Sequence, residues 1–215
     1  MATLPRPSLE TAFLGGFAVD LERVDPGRHT PALWDAIGSR EVLWAGIPSG
    51  PFDSAEAFAT WLAERADNPA QHLFAIIDKT ADEPSAAGLF FLINTDPAMG
   101  RTEIGLVYGA AITRRIGGTE AFYLLARHVF ETGGYRRLEW RCNPDNLASR
   151  NAAERYGFTF EGVLRQNLWI KGASWDTAVY SMLDSEWPDA GRRLAAWLSP
   201  DNFTPDGRQI RRLGA

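Results

Sequence analysis

The sequence predicts a mixed α/β fold built on one largely antiparallel sheet. Two observations carry that prediction. The first half reads as a strand, two helices and a three-strand meander, and the second half alternates strand, helix, strand, helix and paired strands. The chain has 215 residues, 45% hydrophobic and 23% charged, enough to enclose a full core in one large domain. Residues 16–185 are expected to form that domain. Residues 1–15, with Pro5 and Pro7, read as a loose arm, and residues 186–215 as a helix and polar tail packed on it.

Each element has its own reason. GFAVDLER, Gly16 to Arg23, alternates apolar and polar positions as a strand does, until Asp25-Pro26-Gly27 breaks it. Helical segments are expected over Thr30 to Ile37, and from the N-cap Ser54 to Ala66 with Phe58, Trp61 and Leu62 behind it. Between them Val42 to Phe52 is irregular and aromatic. The meander is His72 to Asp78, Ala87 to Asn94 and Thr102 to Tyr108. Thr119 to Thr132 places Phe122, Leu125, Val129 and Phe130 on one helical face and stops at Gly133-Gly134. Arg137 to Cys142 is a strand, and Asn146 to Tyr156 a helix closed by Gly157. Thr159 to Ile170 and Trp175 to Leu183 pair across a turn, and Pro188 to Leu198 is the last helix.

Composition narrows the function. The 22 Lys and Arg against 27 Asp and Glu give a formal net charge of −5, so nucleic acid is not an expected partner and a cationic one is mildly favoured. Cys142 is the single cysteine, and His29, His72 and His128 lack ligand spacing, so no disulfide and no metal site is expected. A lone thiol suits a reducing cytoplasm. No run approaches membrane-spanning length and MATLPRPSLE lacks the regions of a signal peptide, so no membrane association is expected either.

Ligands of such sheets gather where a strand feeds a helix, and two such junctions stand out, after Tyr108 and after Cys142. At the first, AAITRRIGGTE puts Arg114 and Arg115 just before Gly117-Gly118, with Thr119 opening the helix. The glycines permit close approach, and the first-turn N–H groups together with the arginines suit a diphosphate. A plain glycine-rich helix start with solvated arginines is the alternative.

The second junction is more specific. LEWRCN followed by PDNLASRNAAERYGF carries Asn146, Ser149, Gly157 and Phe158 in the spacing Asn-x-x-Ser-x7-Gly-Phe. It resembles the signature of the GCN5-related N-acetyltransferases, and EIG, TEA, GYRRLEWRCN and SRNAAERYGFTFEG resemble the ribosomal-protein N-terminal branch of that superfamily. The resemblance spans roughly Gly15 to Gly207. It implies a twisted, mostly antiparallel sheet with helices on both faces and a splay beside the strand 102–108. It implies an acetyl group passed from acetyl-CoA to an amine acceptor, and a homodimer is compatible with it. Carried over, Leu106, Val107 and Tyr108 offer backbone to the pantetheine arm, Arg114 to Thr119 hold the pyrophosphate, Asn146 bonds the pantetheine region and Ser149 lies near the sulfur. Gly105 sits where such strands bulge and splay.

Three positions depart from the family pattern. Aligned on Thr-Glu-Ala the loop lacks the usual first glycine, whereas read from Arg114 it regains Gly117 and ends on Thr119; Ala153 stands where many members carry a tyrosine as general acid, and Leu168 where this branch has a glutamate. Ser149 is therefore the candidate donor to the thiolate, and Glu103, on one strand face with Gly105 and Val107, the candidate base. A dedicated base is needed less by an α-amine than by a lysine, which favours a protein or peptide N-terminus. A free small amine is the competing acceptor, and a non-catalytic acyl-CoA sensor the competing class. Trp44, Phe52 and Trp140 are the expected aromatic walls for the acceptor.

Overall fold

A computed structural model describes residues 4–204 and 208–213; residues 1–3 of the expected arm and 205–207 and 214–215 of the expected tail lie outside the described residues. Eight strands form one sheet: β1 Phe13–Gly15, β2 Val19–Arg23, β3 His72–Asp78, β4 Ser85–Asp96, β5 Arg101–Tyr108, β6 Arg137–Cys142, β7 Thr159–Ile170 and β8 Ala173–Leu183. Their order is β1-β2-β3-β4-β5-β6-β8-β7, and every neighbouring pair is antiparallel except β5 with β6. The helices are α1 Pro26–Leu33, α2 Glu41–Trp44, α3 Ala55–Ala66, α4 Ile116–Arg127, α5 Leu147–Tyr156 and α6 Trp187–Leu198. Single π-helical turns, Trp34–Gly38 and His128–Thr132, extend α1 and α4.

The sheet is covered on both faces, each with its own core. On one side Phe122 and Leu125 of α4, Tyr156 of α5 and Leu194 of α6 pack against Phe90, Ile104 and Tyr180. On the other Leu33, Trp44, Phe58 and Leu62 pack against Ala75, Leu89 and Val107. Strand alternation makes this possible: along β5, Ile104 goes to the first core and Val107 to the second.

Local chemistry sets the ends. Asp25 does not merely break the first strand; its carboxylate accepts the N–H groups of Gly27 and Arg28 with Pro26 at N1, so α1 begins four residues earlier than the apolar pattern indicates. Ser54 caps α3 as expected, and Gly157 closes α5 at φ 104°, in the left-handed region. The described part of the arm, residues 4–15, is not loose. Leu9 is fully buried, Arg6 N–H donates to the Pro97 carbonyl at 2.8 Å, and residues 13–15 add β1 to the sheet edge. Glu120, buried on α4, receives the N–H groups of Phe17, Ala18 and Val19 at 2.7–2.9 Å and ties the start of β2 to that helix.

Candidate active site

The site begins where two parallel strands part. Rungs between β5 and β6 run from Arg101–Arg137 to Ile104–Trp140 and stop. Beyond them β5 stays paired with β4 alone, and β6 with β8 alone. Gly105 is the first residue past the parting, yet it pairs regularly with Phe91; the strands splay there without the expected bulge. A Cβ on Gly105 would meet only Phe91, at an ordinary 3.6 Å, so its own packing does not demand glycine.

Alternation decides which backbone groups face the opening. Gly109 N–H donates to Ala87 O at 2.8 Å, which makes that pair, and by two-residue alternation Val107 with Leu89, the hydrogen-bonded rungs. The polar groups of Leu106 and Tyr108 therefore turn towards the opening, and those of Val107 are spent on β4. Of the three strand residues expected to offer backbone, Val107 is corrected: it supplies core packing instead.

From β5 the chain runs through residues 109–115 into α4. No side chain caps that helix, so its first-turn N–H groups are left for solvent or a ligand. Arg114, at φ 59°, and Arg115 are exposed, and neither has an ion-pair partner among the described residues. Gly117 and Gly118 also have a packing role. Both are buried, and a Cβ would lie 2.9 Å from Val19 Cγ1 on Gly117 and 2.8 Å from Ile112 O on Gly118. The close approach they allow is that of α4 to its own sheet and loop. Thr119 is likewise engaged: its hydroxyl accepts from Arg155 at 3.0 Å. The hydroxyls of Tyr108 and Tyr156 both donate to the Gly118 carbonyl, at 2.8 and 3.2 Å, and burial pushes both phenols up, so Tyr156 is a core strut.

At the second junction Asn146 caps α5, its side-chain oxygen accepting Ser149 N–H at 3.0 Å. Its amide nitrogen faces the turn at Gly46, where a Cβ would approach it to 3.4 Å. Ser149 Oγ accepts the Trp140 indole N–H at 2.9 Å and lies beside the Cys142 thiol, which burial holds above its usual pKa. Trp140 is buried against Tyr156 and Phe158, so it is no wall of an acceptor pocket. Trp44 is corrected for the same reason: it is fully buried, with Nε1 donating to Ile37 O. Phe52 stays half-buried, packed on Trp44, Phe58 and Trp61. Lys171, on the β7–β8 turn, reaches across to Trp44 O at 2.5 Å, so that hairpin and the 44–52 segment meet over the site.

Glu103 is nine-tenths buried on the second-core face of β5. It accepts Asn94 Nδ2 at 2.8 Å and pairs with Arg141 Nε at 3.3 Å. Burial raises its pKa and the neighbouring Glu139 adds to the rise, against the pull of Asn94 and Arg141. Arg141 also holds Glu139, Glu139 holds Arg137, and Arg137 grips Glu161 through two bonds of 2.6–2.7 Å. A cavity of about 490 Å³, lined by Asn94, Asp96, Arg101, Glu103, Glu139 and Arg141, opens on this cluster. Sequence reasoning missed Asn94 and Arg141. Arg141 follows Glu139 by two and so shares its face; Asn94 reaches Glu103 only through the irregularity between Ile93 and Asp96, at φ 50°, which no sequence pattern announces.

Comparison with known proteins gives the family. The family described as "Acetyltransferase (GNAT) domain" matches residues 20–159. The chain belongs to that family. It is similar to a GCN5-related N-acetyltransferase of Brucella melitensis, with a TM-score of 0.93 and 39% identity over 98% of this chain and 96% of that one. It is 31% identical over 103 residues, 48% of this chain, to a Bacillus subtilis (strain 168) protein named "Putative ribosomal N-acetyltransferase YdaF". The match spans 56% of that curated relative, just over half its length. The ribosomal alpha-N-protein acetyltransferase RimL shares the fold at a TM-score of 0.70 and 20% identity, over 80% of this chain and 93% of that one.

Proposed function

We propose that the protein transfers the acetyl group of acetyl-CoA to a primary amine, the α-amine of a protein or peptide N-terminus, in the cytoplasm. The observation that carries this reading is the parting of β5 from β6 beside an uncapped helix. Leu106 and Tyr108 backbone groups face the opening, and the same end of β5 leads through exposed Arg114 and Arg115 to the bare first turn of α4. A long thiol ester ending in phosphates fits both features: amide groups of the arm against the strand, pyrophosphate at the helix start and the arginines. Acetyl-CoA supplies an activated acyl carbon and a leaving thiolate.

The protein's own groups then have distinct roles. An N–H of Leu106 or Tyr108 steadies the thioester oxygen as it gains charge. Ser149 donates a hydrogen bond to the departing sulfur, in place of the tyrosine that Ala153 replaces. Glu103, with its pKa raised by burial, takes the proton that the attacking nitrogen loses, directly or through water. An α-amine of pKa 7.7–8.0 is neutral roughly a tenth of the time at pH 7, and a lysine of pKa ~10.4 about once in two thousand. One carboxylate of modest basicity therefore serves the α-amine far better.

The test measures thiol release from acetyl-CoA with peptides bearing a free N-terminus, with N-blocked lysine peptides and with small amines. Turnover concentrated on the free N-termini is expected. Faster turnover on small amines would overturn the acceptor assignment, and saturable acetyl-CoA binding without any turnover would make the protein a sensor.

A further inference from the structure

Trp140 has one polar atom and one use for it. Its indole N–H donates to Ser149 Oγ at 2.9 Å, and an indole nitrogen can only donate, so the direction of this bond is fixed. We infer that Trp140 is a positioning residue for acyl transfer: its N–H holds the Ser149 oxygen at the parting of β5 and β6 and leaves the hydroxyl hydrogen free for the departing sulfur. The inference rests on the reading of Ser149 as the thiolate's partner.

The geometry isolates this role. Asn146 already fixes the Ser149 backbone through its N–H, so the hydroxyl's rotamer is what remains to be set. Trp140 is well placed to set it. The residue forms the last β5–β6 rung with Ile104, and its ring is wedged against Tyr156 and Phe158 at centroid distances of 6.1 and 5.6 Å. A hydroxyl has two lone pairs and one hydrogen; the indole occupies a lone pair, and the hydrogen is left to donate. In the free protein its neighbour is the Cys142 sulfur, a weak acceptor that surrenders it at little cost.

In the reaction the amine lone pair forms the new N–C bond and the C–S bond breaks with its electrons going to sulfur. The nitrogen's surplus proton passes to Glu103 or water, and the sulfur takes a proton from solvent. Ser149 keeps its own hydrogen throughout, as a hydrogen-bond donor already in place when charge reaches the sulfur.

Trp140→Phe keeps the ring packing and removes the N–H. With Ser149→Ala and the double variant it forms a thermodynamic cycle. A charged-acceptor hydrogen bond predicts that Ser149→Ala lowers kcat roughly 10- to 100-fold, and Trp140→Phe about 5- to 20-fold, with KM for acetyl-CoA unchanged. In the Ser149→Ala background the Trp140→Phe loss should vanish, which a merely structural role for the ring would not produce. An equal loss in both backgrounds overturns the inference. An unaffected kcat in Ser149→Ala removes the reading of Ser149 beneath it, and is told apart because that single variant alone reports it. A readout without acetyl-CoA stands beside these: the Trp140 indole N–H proton resonance should move upfield in Ser149→Ala. If Trp140→Phe does not fold, that resonance decides, and an unmoved signal overturns the inference.

Discussion

At the scale of the residue, the chemistry turns on one carboxylate and its neighbours. Glu103 is buried beside Glu139, which raises its pKa, and shares Arg141 with it, which lowers it. Removing the guanidinium leaves only Asn94 to oppose burial. Arg141→Met is therefore expected to push Glu103 further up and to move the acidic limb of the kcat/KM profile to higher pH, readable by steady-state kinetics between pH 5 and pH 9. Glu103→Gln should lower turnover at neutral pH by about 10²-fold and flatten that limb, with KM for acetyl-CoA unchanged. A profile identical to that of the parent protein would take Glu103 out of the mechanism. The residue types were legible in the sequence: Glu103, Asn146 and Ser149 stand out by motif and strand parity. Their partners were not. That Trp140 serves Ser149 depends on how α5 folds back over β6, and that Asn94 and Arg141 serve Glu103 depends on an irregular end of β4 and on the pairing of β5 with β6.

At the scale of the element, α4 shows how one motif holds two meanings. Gly117-Gly118 beside two arginines reads as a ligand loop, and the structure spends both glycines on seating the helix against Val19, Ile112 and Tyr108. Gly118→Ala forces a Cβ to within 2.8 Å of the Ile112 carbonyl, a backbone atom that cannot rotate away. The expected cost is about 1–3 kcal/mol, read as a lower denaturation midpoint at unchanged slope. The shift in the helix start should also raise KM for acetyl-CoA. Element boundaries followed the apolar pattern closely where a strand or cap was explicit, as at His72–Asp78, Ser54 and Gly157. They slipped where long-range contacts ruled. Residues 4–15 look unstructured because Pro5 and Pro7 interrupt any period, yet the buried Leu9 and the sheet edge at β2 hold them down.

At the scale of the molecule, the sheet is both scaffold and cleft. A ladder of charges, Glu103–Arg141–Glu139–Arg137–Glu161, runs from β5 along β6 and over β8 to β7. Arg137 holds Glu161 down at about 2, from 4.5, and Glu139 is lowered against the resistance of burial. Both carboxyls stabilise the fold when ionised; the Glu161 contribution is present above pH 4.5 and lost as pH falls towards 2, and that of Glu139 is likewise lost on acidification. Glu103 has the opposite sign, since its raised pKa makes its ionised form a cost at neutral pH that protonation relieves. Melting curves from pH 7 to pH 2 should fall along the acid limb, and less steeply in Arg137→Met. The succession of antiparallel and parallel strands was readable from the order of elements, but the depth of the wedge was not. It depends on β5 staying with β4 and β6 staying with β8 past the last shared rung, Ile104 with Trp140.

Hydrogen–deuterium exchange with and without coenzyme A probes that wedge most directly. Saturating ligand is expected to slow the amides of Leu106 and Tyr108 and of Ile116 to Gly118 together, and to leave Val107, already bonded to β4, unchanged. Binding with no protection at either the strand end or the helix start would contradict the assignment of this opening as the acyl-donor site.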